Sequence, residues 1–126
     1  MTGAARAVNA GHPPAILLRD DRVVEQQLAP QLPFGMFPDT TYVASDFDLA
    51  PGDRVILASD GIAEATDPSG AAFGASRLAE LTAATAGDEP VDVVRRMIAD
   101  VVRHRSTNLA DDATVLCLDW MPGAGG

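Results

Sequence analysis

Ala50-Pro51-Gly52-Asp53-Arg54-Val55-Ile56-Leu57-Ala58-Ser59-Asp60-Gly61 is the stretch on which the fold of this chain turns. Its first four residues set Pro and Gly in the order a tight turn favours. Arg54–Ala58 (RVILA) is then a short apolar run with turn signals on both sides, the pattern of a buried central strand. Ser59-Asp60-Gly61 follows at once. A carboxylate at the C-terminal end of a strand projects from a rigid element, and the glycine after it allows a close backbone approach.

Before this strand the chain reads as β structure. Ala5–Ala10 predicts a short strand. Ala15–Leu18 and Val23–Val24 flank the polar turn Arg19-Asp20-Asp21-Arg22 and predict a hairpin, although Asp-Asp is a weaker turn than Asn-Gly. Pro30–Pro38 is a Pro- and Gly-punctuated loop. Thr41–Leu49 alternates, with Tyr42, Ala44, Asp46 and Asp48 on one face and Val43, Phe47 and Leu49 on the other.

After the strand the periodicity becomes helical. Ser76–Ala86 carries Leu78, Leu81 and Thr85 at helical spacing. Pro90–Arg105 is the clearest helix, with Pro90 near its start. Val91, Val94, Ile98, Val101 and Val102 predict its apolar face, and its arginines concentrate toward the C-terminus as the helix dipole favours. Thr107–Asp112 reads as a polar loop and Ala113–Trp120 (ATVLCLDW) as a closing strand. Strands, then two helices, then a strand predict an α+β fold with helices on an antiparallel sheet.

Composition narrows the function. The chain has 126 residues, 47% of them hydrophobic, which suits one small domain with a real core. Aromatic residues are only 5%, so Val, Leu, Ile and Ala must build that core. A net charge of −9 argues against a nucleic-acid partner, whose phosphates attract basic surfaces. No apolar run approaches a membrane span and no signal pattern opens the chain, so a soluble cytoplasmic protein is expected. The single cysteine, Cys117, lies in the apolar run VLCLDW and reads as a small buried hydrophobe.

A second acidic site, Asp111-Asp112, lies directly before the closing strand. Taken singly, Ser-Asp-Gly is an ordinary turn and Asp-Asp an ordinary loop acid. If Arg54–Ala58 and Ala113–Leu118 are antiparallel neighbours, both acidic sites fall at one end of the sheet. They would there suit a hard cation with oxygen ligands, such as Mg²⁺ or Mn²⁺.

The ordered blocks NAGHPPAILLR (residues 9–19), LPFGMF (32–37), LAPGDRVILASDGIAEATDPSGAAFGASRL (49–78) and DDATVLCL (111–118) together resemble the metal-dependent protein phosphatases of the PPM, or type 2C, family. The resemblance is to the bacterial SpoIIE-like and RsbU-like branch and runs from about Val8 to Leu118. It implies the C-terminal half of an α-β-β-α layered sandwich, mainly antiparallel strands with two helices, spanning residues 1–120, with 121–126 a flexible tail. It implies a site of two Mn²⁺ or Mg²⁺ ions, roughly 3.5–4 Å apart, holding the water that attacks phosphorus in line. Carried over, Asp60 is a metal ligand, Gly61 offers its backbone carbonyl, and Asp111, with Asp112 as the alternative, supplies the second carboxylate. The implied substrate is a phosphoprotein such as an anti-sigma-factor antagonist, dephosphorylated at phosphoserine or phosphothreonine.

Family members carry two further metal-binding aspartates on strands that precede the NAGHPP segment, and no Gly-Asp or Asp-x-x-Gly-His-Gly element occurs upstream of it here. Two readings follow: a phosphatase domain, or a catalytically incompetent remnant or interaction module. Half a domain would expose apolar surface or an open strand edge and associate with itself. His12 reads as a packed or hydrogen-bonded structural residue and His104 as solvated surface. Glu64 reads as an acid on the first turn of a helix.

Overall fold

The turn at Ala50–Asp53 forms as its residues require. Gly52 has a φ of 90°, and the Asp53 N–H donates to the Ala50 carbonyl at 3.0 Å, the geometry that Pro followed by Gly stabilises. The computed structural model describes residues 3–10, 12–13, 15–24, 30–31, 33, 35–105 and 113–121. Its elements are β1 (Ala4–Ala7), β2 (Asn9–Ala10), β3 (Ile16–Arg19), β4 (Arg22–Val24), β5 (Pro30–Gln31), β6 (Ser45–Asp48), β7 (Arg54–Ala58), α1 (Asp60–Ala63), α2 (Gly74–Ala84), α3 (Pro90–Arg105) and β8 (Val115–Asp119).

The main sheet is antiparallel in the order β4-β3-β7-β8. β3 and β4 join through Asp20 and Asp21, whose φ angles of 50° and 62° are both left-handed. That is the twist a two-residue hairpin needs, and Asp tolerates it better than most residues. β1 pairs antiparallel with β6, and β2 pairs parallel with β5. β6 is shorter than the alternation over 41–49 suggests: within it Phe47 is half-buried and Asp46 and Asp48 are exposed, but before it Val43 is exposed and Tyr42 and Ala44 are half-buried, the reverse of the predicted faces.

The helices cover one face of the main sheet: α3 packs on β8, and α2 on β3 and β4. Ile56 and Ala58 meet Phe73, Leu78, Leu81, Val93, Met97 and Val101 in one core, with Ile16, Val115 and Cys117 packed against it. The buried stripe of α3 is Val93-Met97-Val101 at i, i+4 and i+8. This corrects the face predicted from Val91, which is 55% exposed. A stripe spaced by four drifts slowly around a helix of 3.6 residues per turn, and Val94 and Ile98 flank it. α1 is a third helix, of four residues, beyond the two predicted. Burial raises the Cys117 thiol above its usual range, consistent with an inert packing residue.

Two ion pairs lock the strand-start end of β7. Asp53, 1% exposed, accepts from Arg19 Nη2 at 2.6 Å and Nε at 3.0 Å, and from the Ala50 N–H at 2.7 Å. Arg54 donates to Asp119 through Nε at 2.7 Å and Nη2 at 3.0 Å. It also donates to the Thr85 and Asp88 carbonyls, at 3.0 and 2.6 Å. Arg54 thus joins β7, β8 and the α2–α3 connection, which a lysine's single ammonium could not do.

On the face opposite the helices, Leu116 and Leu118 of β8 are 46% and 50% exposed. Their partners across the ladder are Leu57 and Val55.

The hydrogen bonds from Arg19 hold the Asp53 carboxyl below the usual carboxylate range. The folded state therefore binds this proton less readily than the unfolded chain. The stability so gained is complete above an unfolded pKa of about 4 and is lost as pH falls through the depressed folded value. Asp53→Asn should cost about 1–3 kcal/mol at neutral pH. It should also flatten the fall in melting temperature between about pH 5 and about pH 2. Asp67 is likewise depressed, but it is present in both proteins and cancels. Parallel melting curves over that range would contradict the assignment.

Candidate metal-binding end of the sheet

The β7–β8 register runs from Arg54 opposite Asp119 to Ala58 opposite Val115. The C-terminal end of β7 and the N-terminal end of β8 therefore lie side by side. Ser59 extends this pairing by one step. Its N–H donates to the Thr114 carbonyl at 2.9 Å, and its Oγ accepts the Thr114 N–H at 2.9 Å. Ser59 is also the N-cap of α1, yet its side chain makes no capping bond. The hydroxyl serves β8 instead.

Asp60 opens α1 and is exposed, with its carbonyl accepting the Glu64 N–H at 2.8 Å. Gly61 is half-buried beside it, and Ile62 plunges into the core at 0% exposure. A buried Ile62 fixes the rotation of this short helix and leaves Asp60 facing water. Glu64 is the C-cap of α1 rather than a first-turn residue, and it is exposed. Asp111 and Asp112, the other predicted ligands, lie outside the described residues, as do the rest of the predicted 107–112 loop and residues 122–126 of the predicted tail.

The Asp60 carboxylate and the Gly61 carbonyl are oxygen donors of the kind Mg²⁺ and Mn²⁺ take. Among the described residues, no group of three or more His, Cys, Asp or Glu side chains is gathered to hold a metal ion. A polar cavity of about 410 Å³ lies at the opposite end of the sheet, lined by both ion pairs, Arg19–Asp53 and Arg54–Asp119. Asp60 has no part in it.

The segment after α1 is a tight hairpin. Thr66 and Ala72 form an antiparallel bridge. Asp67 Oδ1 accepts from Ser69 N–H at 2.8 Å, Ser69 Oγ at 2.5 Å and Ala71 N–H at 2.9 Å. These bonds, led by the one from Ser69 Oγ, depress the Asp67 pKa. The hairpin returns to the core through Phe73, whose N–H donates to Ala65 O at 2.7 Å.

One histidine meets expectation and the other does not. His12 is hydrogen-bonded, one of the two predicted alternatives, and exposed. Its N–H donates to Asn9 Oδ1 at 2.8 Å, Asn9 Nδ2 donates to the His12 carbonyl at 2.9 Å, and its ring Nδ1 lies 2.8 Å from Pro13 O. His104 is half-buried, not solvated. Its ring stands edge-on to Phe73 with centroids 5.5 Å apart, and its Nε2 lies 2.9 Å from the Ala71 carbonyl. Its place three residues after Val101 marks it as buried only once the sheet has fixed which face of α3 is covered.

Among the described residues, no helix is long and apolar enough to cross a membrane.

A family model described as stage II sporulation protein E (SpoIIE) matches residues 1–121. Protein IcfG of Synechocystis sp. is 26% identical over 114 residues, covering 88% of this chain and 18% of that protein. The structure of the PP2C phosphatase domain and a fragment of the regulatory domain of SpoIIE from Bacillus subtilis superposes with a TM-score of 0.78 at 25% identity, covering 93% of this chain and 34% of that one. The RsbU and RsbW domains of Rv1364c from Mycobacterium tuberculosis give 0.75 at 26% identity, covering 94% and 32%. A Mn-presoaked SpoIIE phosphatase domain from B. subtilis, at 20% identity and a TM-score of 0.74, shares the fold, covering 98% of this chain and 53% of that one. The chain thus spans less than a fifth of its curated relative and about a third to a half of these solved chains.

Ser59→Ala should remove the acceptor for the Thr114 N–H at the entrance to β8. The expected loss is about 1 kcal/mol, or a melting temperature lower by about 4 °C. Amide exchange at Thr114 should quicken more than exchange at Cys117. Equal protection of Thr114 in both proteins would show that Ser59 does not clasp the strand.

Proposed function

We infer the function from the premise that the chain belongs to the stage II sporulation protein E (SpoIIE) family, a family of PP2C-type phosphatase domains: residues 1–120 serve as the C-terminal part of a metal-dependent serine/threonine protein phosphatase domain. The observation that carries this reading is the Ser59–Thr114 clasp. It sets Asp60 at the same sheet end as the strand that Asp111 and Asp112 directly precede in sequence. Asp60, the Gly61 carbonyl and Asp111, or Asp112 in its place, would hold Mn²⁺ or Mg²⁺. A bound divalent ion supplies positive charge to stabilise the phosphoryl oxygens in the transition state. The chain's own contribution is positional: a carboxylate on a short helix whose rotation Ile62 fixes, at the mouth of a rigid strand pair. The substrate on this reading is a small cytoplasmic phosphoprotein of the anti-sigma-factor antagonist type.

Residues 1–126 by themselves are expected to turn over little substrate. Two carboxylates and water make a poor cage for two dications. A weak cage favours the second reading, an interaction module that keeps part of the fold. The exposed Leu116 and Leu118 suit it too, since an uncovered apolar sheet face favours association.

The test is hydrolysis of a phosphoserine or phosphothreonine peptide with Mn²⁺, by the chain alone and by the chain fused behind the N-terminal part of a relative's phosphatase domain. The expected result is negligible turnover alone, metal-dependent turnover in the fusion, and its abolition by Asp60→Asn. A fusion that folds yet stays inactive with excess Mn²⁺ would favour the interaction module. Separately, sedimentation of the 126-residue chain should show dimers or larger species as concentration rises. A monomer throughout would count against an uncovered face.

A further inference from the structure

The hairpin Thr66–Ala72 follows the helix that carries Asp60, and α3 runs in sequence toward Asp111 and Asp112. The His104 side chain connects the two elements. His104, on the last turn of α3, lies with Nε2 2.9 Å from the Ala71 carbonyl. A carbonyl only accepts, so Nε2 carries the hydrogen. The same carbonyl accepts the Asp67 N–H at 2.9 Å, so His104 bonds the group that closes the hairpin. Its ring also meets Phe73, 4% exposed, edge-on at 82° between planes. Arg77 covers the Phe73 ring with its guanidinium carbon 5.0 Å from the centroid. Phe73 is therefore gripped by α2 and by α3 at the point where the hairpin rejoins the core.

We propose that His104 is a positioning residue: it locks the 66–72 hairpin to the end of α3, and so steadies the α1 segment that carries Asp60. This rests on the metal-binding reading of Asp60, but the hold on the hairpin does not. His104→Ala removes both contacts. His104→Gln keeps an N–H donor at similar reach and loses the ring. His104→Phe keeps a ring and loses the donor.

Two readouts on the 126-residue chain separate the claims. Amide exchange at Ser69 and Ala71 should quicken roughly 5–30-fold in His104→Ala, with His104→Gln restoring most of the protection and His104→Phe little of it. Mn²⁺ binding, followed by the electron paramagnetic resonance of the free ion, should weaken by roughly tenfold in His104→Ala, in the way that residues supporting a ligand usually act. His104→Gln should again recover it. Unchanged hairpin exchange in His104→Ala overturns the positioning role, whatever the metal does. A loosened hairpin with unchanged Mn²⁺ binding, where Asp60→Asn does weaken it, overturns the link to Asp60. If Asp60→Asn leaves Mn²⁺ binding untouched, the metal reading fails, and hairpin exchange alone decides whether His104 holds the loop. Should His104→Ala not fold, the Gln and Phe variants decide between them: slow exchange in Gln and fast exchange in Phe are required.

Discussion

Two neighbouring residues of opposite charge, Asp53 and Arg54, are 1% and 5% exposed, and a buried charge must find a partner or not be charged. Alternation along a strand sends their side chains to opposite sides. Asp53 finds Arg19 on β3, and Arg54 finds Asp119 on β8. The central strand is thereby pinned to both of its neighbours at one end. A slip of register by one residue would orphan both charges at once and turn Ile56 out of the core, so the cost of misregister is far larger than that of any single contact.

From that anchored end the ladder runs without interruption to Ala58 opposite Val115, and Ser59 adds one more pair of bonds. The ion pairs and Asp60 thus lie at opposite ends of β7. Stability is concentrated where no chemistry is expected, and Asp60 is left at the free end, on a helix too short to hold itself. The core residue Ile62 and the hairpin after α1 give that helix its orientation.

Much of this was legible in the residues. Arg54–Ala58 and Pro90–Arg105 have the bounds that periodicity and turn signals assign, and the hairpin around Asp20-Asp21 forms where polar residues interrupt two apolar runs. The four ordered sequence blocks carried the family. Three features were not legible, each for a physical reason. The face of α3 depends on whether Val91 or Val93 starts the stripe, and only the position of the sheet decides it. His104 looks solvated among arginines because its partners, Phe73 and the Ala71 carbonyl, are over 30 residues away. Ser59 reads as part of an ordinary Ser-Asp-Gly turn, and the partner of its hydroxyl, the Thr114 N–H, lies far downstream in sequence. Of the predicted ligands, Asp60 and Gly61 stand at the expected end of β7, while Asp111 and Asp112 lie outside the described residues.

The spacing of Arg54 and Asp119 has a kinetic side. Their contact joins residues 65 apart in the chain, whereas β3 and β4 close over the two aspartates of their turn. Contacts between distant residues carry loop-closure entropy before they return any energy, and they slow the search for the native state. α2 and α3 lie within that loop and shorten it by folding locally, since a helix rises only about 1.5 Å per residue. The helices are therefore part of how β8 finds β7 as well as what covers the pair afterwards. Lengthening the α2–α3 connection would be expected to retard folding more than it weakens the finished structure.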